Sequence, residues 1–130
     1  MPEMNNILPS LSYWPADPAE PVLDISIGDA LRAAASTWRT RTALIDGTSE
    51  EQTRRRWTFE ELLTESEKIA QALLLRFVSG EHVAIWAANG PQWLMVELGA
   101  ALAGLTLVTV NPAYLGEELA FVLSVCPKSS

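Results

Sequence analysis

The 130-residue chain holds one cysteine, Cys126, and one histidine, His82. An internal disulfide is therefore excluded. No CxxC or Cys/His cluster marks a metal site, and the lone thiol fits a reducing, cytoplasmic setting. Positive charge is also scarce: nine Lys and Arg stand against sixteen Asp and Glu, a formal charge of −7. An acidic surface repels the phosphates of nucleic acids and of anionic lipids, so neither is an expected partner. The local exception, Arg54-Arg55-Arg56, reads as a solvated strand or loop edge. The N-terminal MPEMNNILPSLSYW lacks the basic start and long apolar run of a signal peptide. The most apolar region, Leu94 to Val110, is interrupted by Glu97, Gly99 and Gly104, which suits a buried helix plus a strand and not an integral membrane segment. There is no internal repeat.

What the sequence does have is apolar residues at 48% and charged ones at 19%, the balance of a globular domain with a real core. Residues 1–24 carry five prolines, which fix φ and remove backbone donors, so they read as an extended arm pinned by Tyr13 and Trp14. Ser26 and Asp29 form an S-x-x-D box opening a helix whose Ile27, Leu31, Ala34, Ala35 and Trp38 share one face. TALIDG (42–47) and the start at Arg56-Trp57 read as a hairpin of two short strands. Thr58 with Glu61 opens a long helix to about Phe77, with Leu62, Leu63, Ile69, Ala70, Leu73, Leu74 and Phe77 as its buried stripe.

HVAIW (82–86) is a strand. Asn89 is expected to cap the helix that follows, with Pro91 in its first turn, Gln92 in capping-box position and Gly104 beyond its end. LTLVTV (105–110) is a nearly unbroken apolar run, the pattern of a parallel strand covered on both faces. A last helix, about Glu117 to Val125, is expected to bury Leu119, Val122 and Leu123. The order strand, helix, strand from Val83 to Val110 implies a right-handed βαβ unit. The fold class is α/β: part of a parallel-sheet, three-layer subdomain, preceded by an extended arm and a short hairpin. The expected division is arm 1–24, an incomplete N-terminal α/β subdomain 25–125, and a tail 126–130.

The stretch WAANGPQW (86–93) stands where α/β enzymes hold phosphate, at a strand-to-helix turn. A phosphate loop needs several glycines and commonly Lys with Ser or Thr; this turn has Gly90 alone, and reads as a helix start. His82 has no Ser or Cys nucleophile near it in sequence and reads as a surface or strand-edge residue. Glu60, Glu61, Glu65 and Glu67 suit the first turns of a helix, facing solvent. Cys126 reads as a small buried or frayed apolar group, and Trp86 and Trp93 as core. Asn111-Pro112-Ala113-Tyr114, at the end of a parallel strand, lies nearest in principle to a ligand cleft and reads as a structural turn. No constellation carries a reaction.

The order of segments resembles the N-terminal part of the adenylate-forming (AMP-binding) acyl-CoA synthetases, above all the fatty-acid–CoA ligases. The matching residues are Trp57-Thr58-Phe59-Glu60-Glu61-Leu62; Gly80-Glu81 with Val83-Ala84-Ile85; Asn89, Pro91 and Trp93; Ala101, Gly104, Val108, Asn111 and Pro112; and Glu118, Leu119 and Leu123. The resemblance implies that the full-length family converts a carboxylic acid and ATP to an acyl-adenylate and then a CoA thioester, with ATP, Mg2+ and CoA. It also implies that the phosphate loop, the adenine and ribose motifs and the catalytic lysine lie beyond position 130. The ending VCPKSS departs from the family, which continues into a further strand. No catalytic, cofactor-binding or metal-binding residue is therefore carried onto this chain. The chain is expected to be a catalytically incomplete scaffold piece that binds no cofactor by itself. Its expected partners are the remainder of the synthetase or another copy. A stand-alone self-association module is the alternative, and a small nucleotide-binding α/β protein a weaker third.

Overall fold

In the computed structural model the described residues are 19, 22–47 and 50–125. Most of the proline-rich arm, with Tyr13 and Trp14, and the tail with Cys126 lie outside them.

Helix α1 (Ile27–Thr37) starts as the sequence indicates, with the Asp29 N–H donating to Ser26 Oγ at 3.1 Å. Its buried face is the expected one at the centre and differs at the two ends, with Ala34 half-covered between them. Gly28, Leu31 and Ala35 are buried, whereas Ile27 and Trp38 are exposed. Gly28 joins that face because a Cβ there would sit 3.2 Å from Leu102 Cδ2, so the absent side chain lets a neighbouring helix approach. Trp38 closes the helix instead, its ring tilted against that of Phe59 at 5.8 Å with the Arg41 guanidinium 5.9 Å from the indole.

Strands β1 (Thr42–Ile45) and β2 (Arg56–Thr58) pair antiparallel as the expected hairpin, with an irregularity between Thr42 and Leu44. Leu44 faces Trp57, which is buried, and the Arg55 guanidinium lies 4.5 Å above the indole. The arginine run therefore covers an aromatic as well as meeting solvent.

Helix α2 (Phe59–Leu74) carries both halves of the capping box: Glu61 N–H donates to Thr58 Oγ1, and Thr58 N–H to Glu61 Oε2 at 2.8 Å. It ends at Leu74, not near Phe77; beyond it the Arg76 amide donates to the Leu73 carbonyl three residues back, a tighter turn than the helix makes. Leu74, beyond the reach of the packing, is exposed. The expected stripe omitted Ser66, which is fully buried and donates its hydroxyl to the Leu62 carbonyl at 2.7 Å. That bond satisfies the oxygen within its own helix, so the small residue can stand where another helix crosses.

The crossing helix is α3 (Pro91–Leu102), lying between β3 (His82–Trp86) and β4 (Thr106–Val110). The two strands pair in parallel, His82 against Thr106 through Trp86 against Val110, as the βαβ reading requires. Gly104 ends the connection at φ +69 and accepts from the Gly80 amide. At Gly99 the helices touch: a Cβ there would fall 2.7 Å from Ile69 Cγ2. Two apolar clusters result. One joins Leu31, Trp57, Leu62 and Met95; the other joins Ala70, Ala100, Ala103 and Leu105. Each large side chain so buried contributes about 1.5–3 kcal/mol.

Helix α4 (Gly116–Val125) forms where expected but buries no residue. Leu119 and Val122 are half-covered and Leu123 is exposed. Likewise β4 has one neighbour among the described residues and is only partly covered, although its composition is that of a strand enclosed on both faces. No helix of the described residues is long and apolar enough to cross a membrane.

Candidate functional site

In a parallel sheet, the loops leaving the carboxyl ends of the strands are the ones placed to meet a ligand. Here β3 and β4 end side by side at Trp86 and Val110. The loops beyond them border a cleft of about 460 Å³, with Asn89, Thr109 and Asn111 as polar groups and Trp93, Tyr114 and Val122 as apolar walls. A second depression of about 420 Å³, lined by Tyr114, Glu117, Phe121 and Val122, shares two of those walls.

The polar groups are partly committed already. The Trp86 indole donates to the Asn111 carbonyl at 3.2 Å, tying the two strand ends together. The Tyr114 amide donates to the same carbonyl, and the Ala113 amide donates to Asn111 Oδ1 at 3.0 Å. Asn111 thus closes its own turn, as an Asx turn does.

Asn89 is not the helix cap. The N-cap of α3 is Gly90, in extended backbone, with Pro91 at the first helical position and no side-chain capping bond. Gln92 accordingly falls one place short of capping-box position. Pro91 sets the first helical φ, and its missing amide leaves one fewer unpaired donor at the helix start. The Asn89 side chain is left at the cleft. Sequence reasoning placed Asn111-Pro112-Ala113-Tyr114 nearest a ligand cleft but read both it and the 86–93 turn as structural, and so missed that the two loops line one cleft together.

His82 stands at the opposite end of β3 from the cleft, half-buried, with Nδ1 enclosed and no hydrogen-bond partner. The carboxylates are dispersed into pairs. Glu61 serves the capping box, Glu60 pairs with Arg39, Glu65 with Lys68 at 2.9 Å, and Glu67 with Arg32 at 3.9 Å. The hydrogen bond from Arg39, aided by its charge, holds the Glu60 carboxyl below the usual carboxylate range, and the same contact raises the Arg39 guanidinium. No group of three His, Cys, Asp or Glu among the described residues is gathered to hold a metal ion. With Gly90 as the one glycine of its turn and no basic residue at the cleft, these residues do not fit a magnesium nucleotide.

The family model for the AMP-binding enzymes matches residues 31–127. The mitochondrial medium-chain acyl-CoA ligase of Macaca fascicularis is 35% identical over 114 residues, which cover 87% of this chain and 18% of the ligase. The fatty acyl CoA synthetase of Mycobacterium tuberculosis superposes with a TM-score of 0.68 at 27% identity, covering 76% of this chain and 19% of that one. The N-terminal subdomain of Klebsiella oxytoca NpsA, solved with anthranilyl-AMSN, shares the fold with a TM-score of 0.69 at 24% identity, over 76% of this chain and 25% of its own. The chain spans about a fifth of the length of the curated relatives it matches. By the match over residues 31–127, it belongs to the AMP-binding enzyme family.

Proposed function

We infer that the chain supplies the N-terminal supporting architecture of an ATP-dependent fatty-acid–CoA ligase and does no chemistry alone. The observation that carries this reading is the family match over residues 31–127 on a chain about a fifth as long as the ligases it resembles. In the complete enzyme the acid, ATP with Mg2+, and CoA would be gripped by sequence outside these residues, while the βαβ unit backs that site. The setting proposed is the cytoplasm, supported by the single cysteine, and the role is in fatty acid metabolism. The purified chain, given a fatty acid, ATP and Mg2+, is expected to release no pyrophosphate above background; release above background overturns the reading.

A second reading, a self-associating interaction module without enzymatic activity, draws on α4, which buries none of its residues and exposes Phe121, Leu123 and Val125. Sedimentation over a range of concentrations tests it: a mass that rises with concentration supports it, and a strict monomer ends it.

A further inference from the structure

The end of the molecule opposite the cleft carries an uncovered apolar surface. Arg32 pairs with Glu67 and Arg39 with Glu60, so a step forward along α1 is an equal step back along α2. The two helices therefore run antiparallel, and the start of α1 lies level with the end of α2. A Cβ on Gly28 would touch Leu102, and the Ser79 hydroxyl donates to the Gly104 carbonyl at 3.2 Å. The start of α1 and the turn after α2 thus flank the same end of α3, beside the first residues of β3 and β4. Ile25, Ile27, Leu74, Leu75 and Val78 gather there, each at least 49% exposed. Arg76 stands among them, exposed and without an ion pair among the described residues. Val22 and Leu23, also exposed, bring the chain to this end from the N-terminal arm.

We propose that the chain's own N-terminal arm covers this end, anchored by Tyr13 and Trp14 and with an acidic residue of the arm against Arg76. The arm has the complementary chemistry. Ile7, Leu8, Leu11, Tyr13 and Trp14 supply apolar and aromatic area, and its charged side chains, Glu3, Asp17 and Glu20, are all acidic. It also has the reach: the stretch from Trp14 to Val22 spans about 25 Å when extended, against about 16 Å for the whole of α1. Pro15, Pro18 and Pro21 fix φ along that stretch, which lowers the entropy lost on docking. Being tethered at Val22, the arm meets the surface at millimolar effective concentration, an advantage no second copy has. A second copy docked about a two-fold axis at this end would instead bring Arg76 towards Arg76. The match to the Mus musculus medium-chain acyl-CoA ligase, 33% identical, covers 95% of this chain and so takes in most of the arm as well as the body.

The test locates the arm in the full chain. With Cys126→Ser and Ser12→Cys, a nitroxide at position 12 sits beside both anchors and replaces neither. In amide NMR spectra it is expected to broaden the signals of residues 74–78 and to spare those of 109–114 at the opposite end. Leu75→Glu and Val78→Glu place a charge where the arm would bury it, and Trp14→Ala removes an anchor; each is expected to abolish the broadening. Leu75 and Val78 are exposed, so the glutamates should leave the rest of the spectrum, and hence the fold, unchanged. Arg76→Glu, facing an acidic arm, should weaken the broadening. The proposal is overturned by signals of 74–78 that stay sharp, or by broadening that survives both glutamates and the loss of Trp14. Equal broadening when the nitroxide and the observed amides are on different molecules also overturns it, because the occupant is then a second copy. None of these outcomes bears on pyrophosphate release, so the ligase reading stands or falls separately.

Discussion

Gly99 of α3 lies so close to Ile69 of α2 that a Cβ on the glycine would stand 2.7 Å from Ile69 Cγ2 and 3.0 Å from the Ser66 carbonyl. A side chain and a backbone carbonyl, both of α2, leave no room for a methyl. Gly99→Ala is therefore expected to destabilise the chain by about 1–3 kcal/mol, although alanine is the better helix former. A urea midpoint that stays put or rises contradicts this packing.

The capping box of α2 predicts a smaller effect at the surface. Thr58→Ala removes the acceptor of the Glu61 amide and is expected to cost about 1 kcal/mol. Thr58→Ser retains the oxygen and should recover most of the loss. Equal destabilisation by both substitutions speaks against the cap as the source.

At Gly104 the backbone holds φ +69, a conformation that side chains disfavour, and an added Cβ would press on the Ser79 hydroxyl. Gly104→Ala should thus destabilise by about 1–2 kcal/mol. Pairing it with Ser79→Gly removes the clash but not the left-handed backbone, so only part of the loss should return. Full recovery in denaturation measurements assigns the whole cost to the clash.

The Arg39–Glu60 contact has a pH signature. Arg39 lowers the Glu60 carboxyl in the folded chain, so the group binds its proton more readily when unfolded. Its contribution is present above the ordinary carboxylate range and fades as pH falls through the lowered folded value. Both partners are exposed, so the effect is small and weakens with salt. Melting of the chain and of Glu60→Gln should differ at neutral pH and low salt and converge in acid. A difference that grows on acidification contradicts the sign.

Much of this architecture is local and was legible in the sequence. Ser26 with Asp29 and Thr58 with Glu61 announce helix starts because the cap and its third neighbour are fixed by one turn of backbone. Thr42–Ile45 and Arg56–Thr58 announce a hairpin, and the apolar strands flanking α3 a parallel pair. Where tertiary packing decided the outcome, local reading failed. Trp38 fits the periodicity of α1, yet it is the residue that ends the helix and stays exposed, while Leu31 and Ala35 of the same face are buried. Ser66 looks like a solvent-facing polar residue until its hydroxyl is seen to bond Leu62. Asn89 reads as a cap by residue type, whereas Gly90 and Pro91 start the helix without it. Leu123 reads as core because apolar spacing reports what a helix is able to bury, not whether a surface is there to receive it. The carboxyl-end cleft was half legible, since Asn111–Tyr114 was placed beside one; its other wall was not, because Asn89 and Tyr114 are distant in sequence and meet only through the parallel pairing of β3 and β4.

The central claim is that these residues support a site they do not grip. Isothermal titration of ATP with Mg2+ into the purified chain tests it most directly. The account predicts no heat beyond dilution up to millimolar nucleotide. A saturable one-to-one isotherm, lost when Trp93 and Tyr114 at the cleft are replaced by alanine, would contradict it.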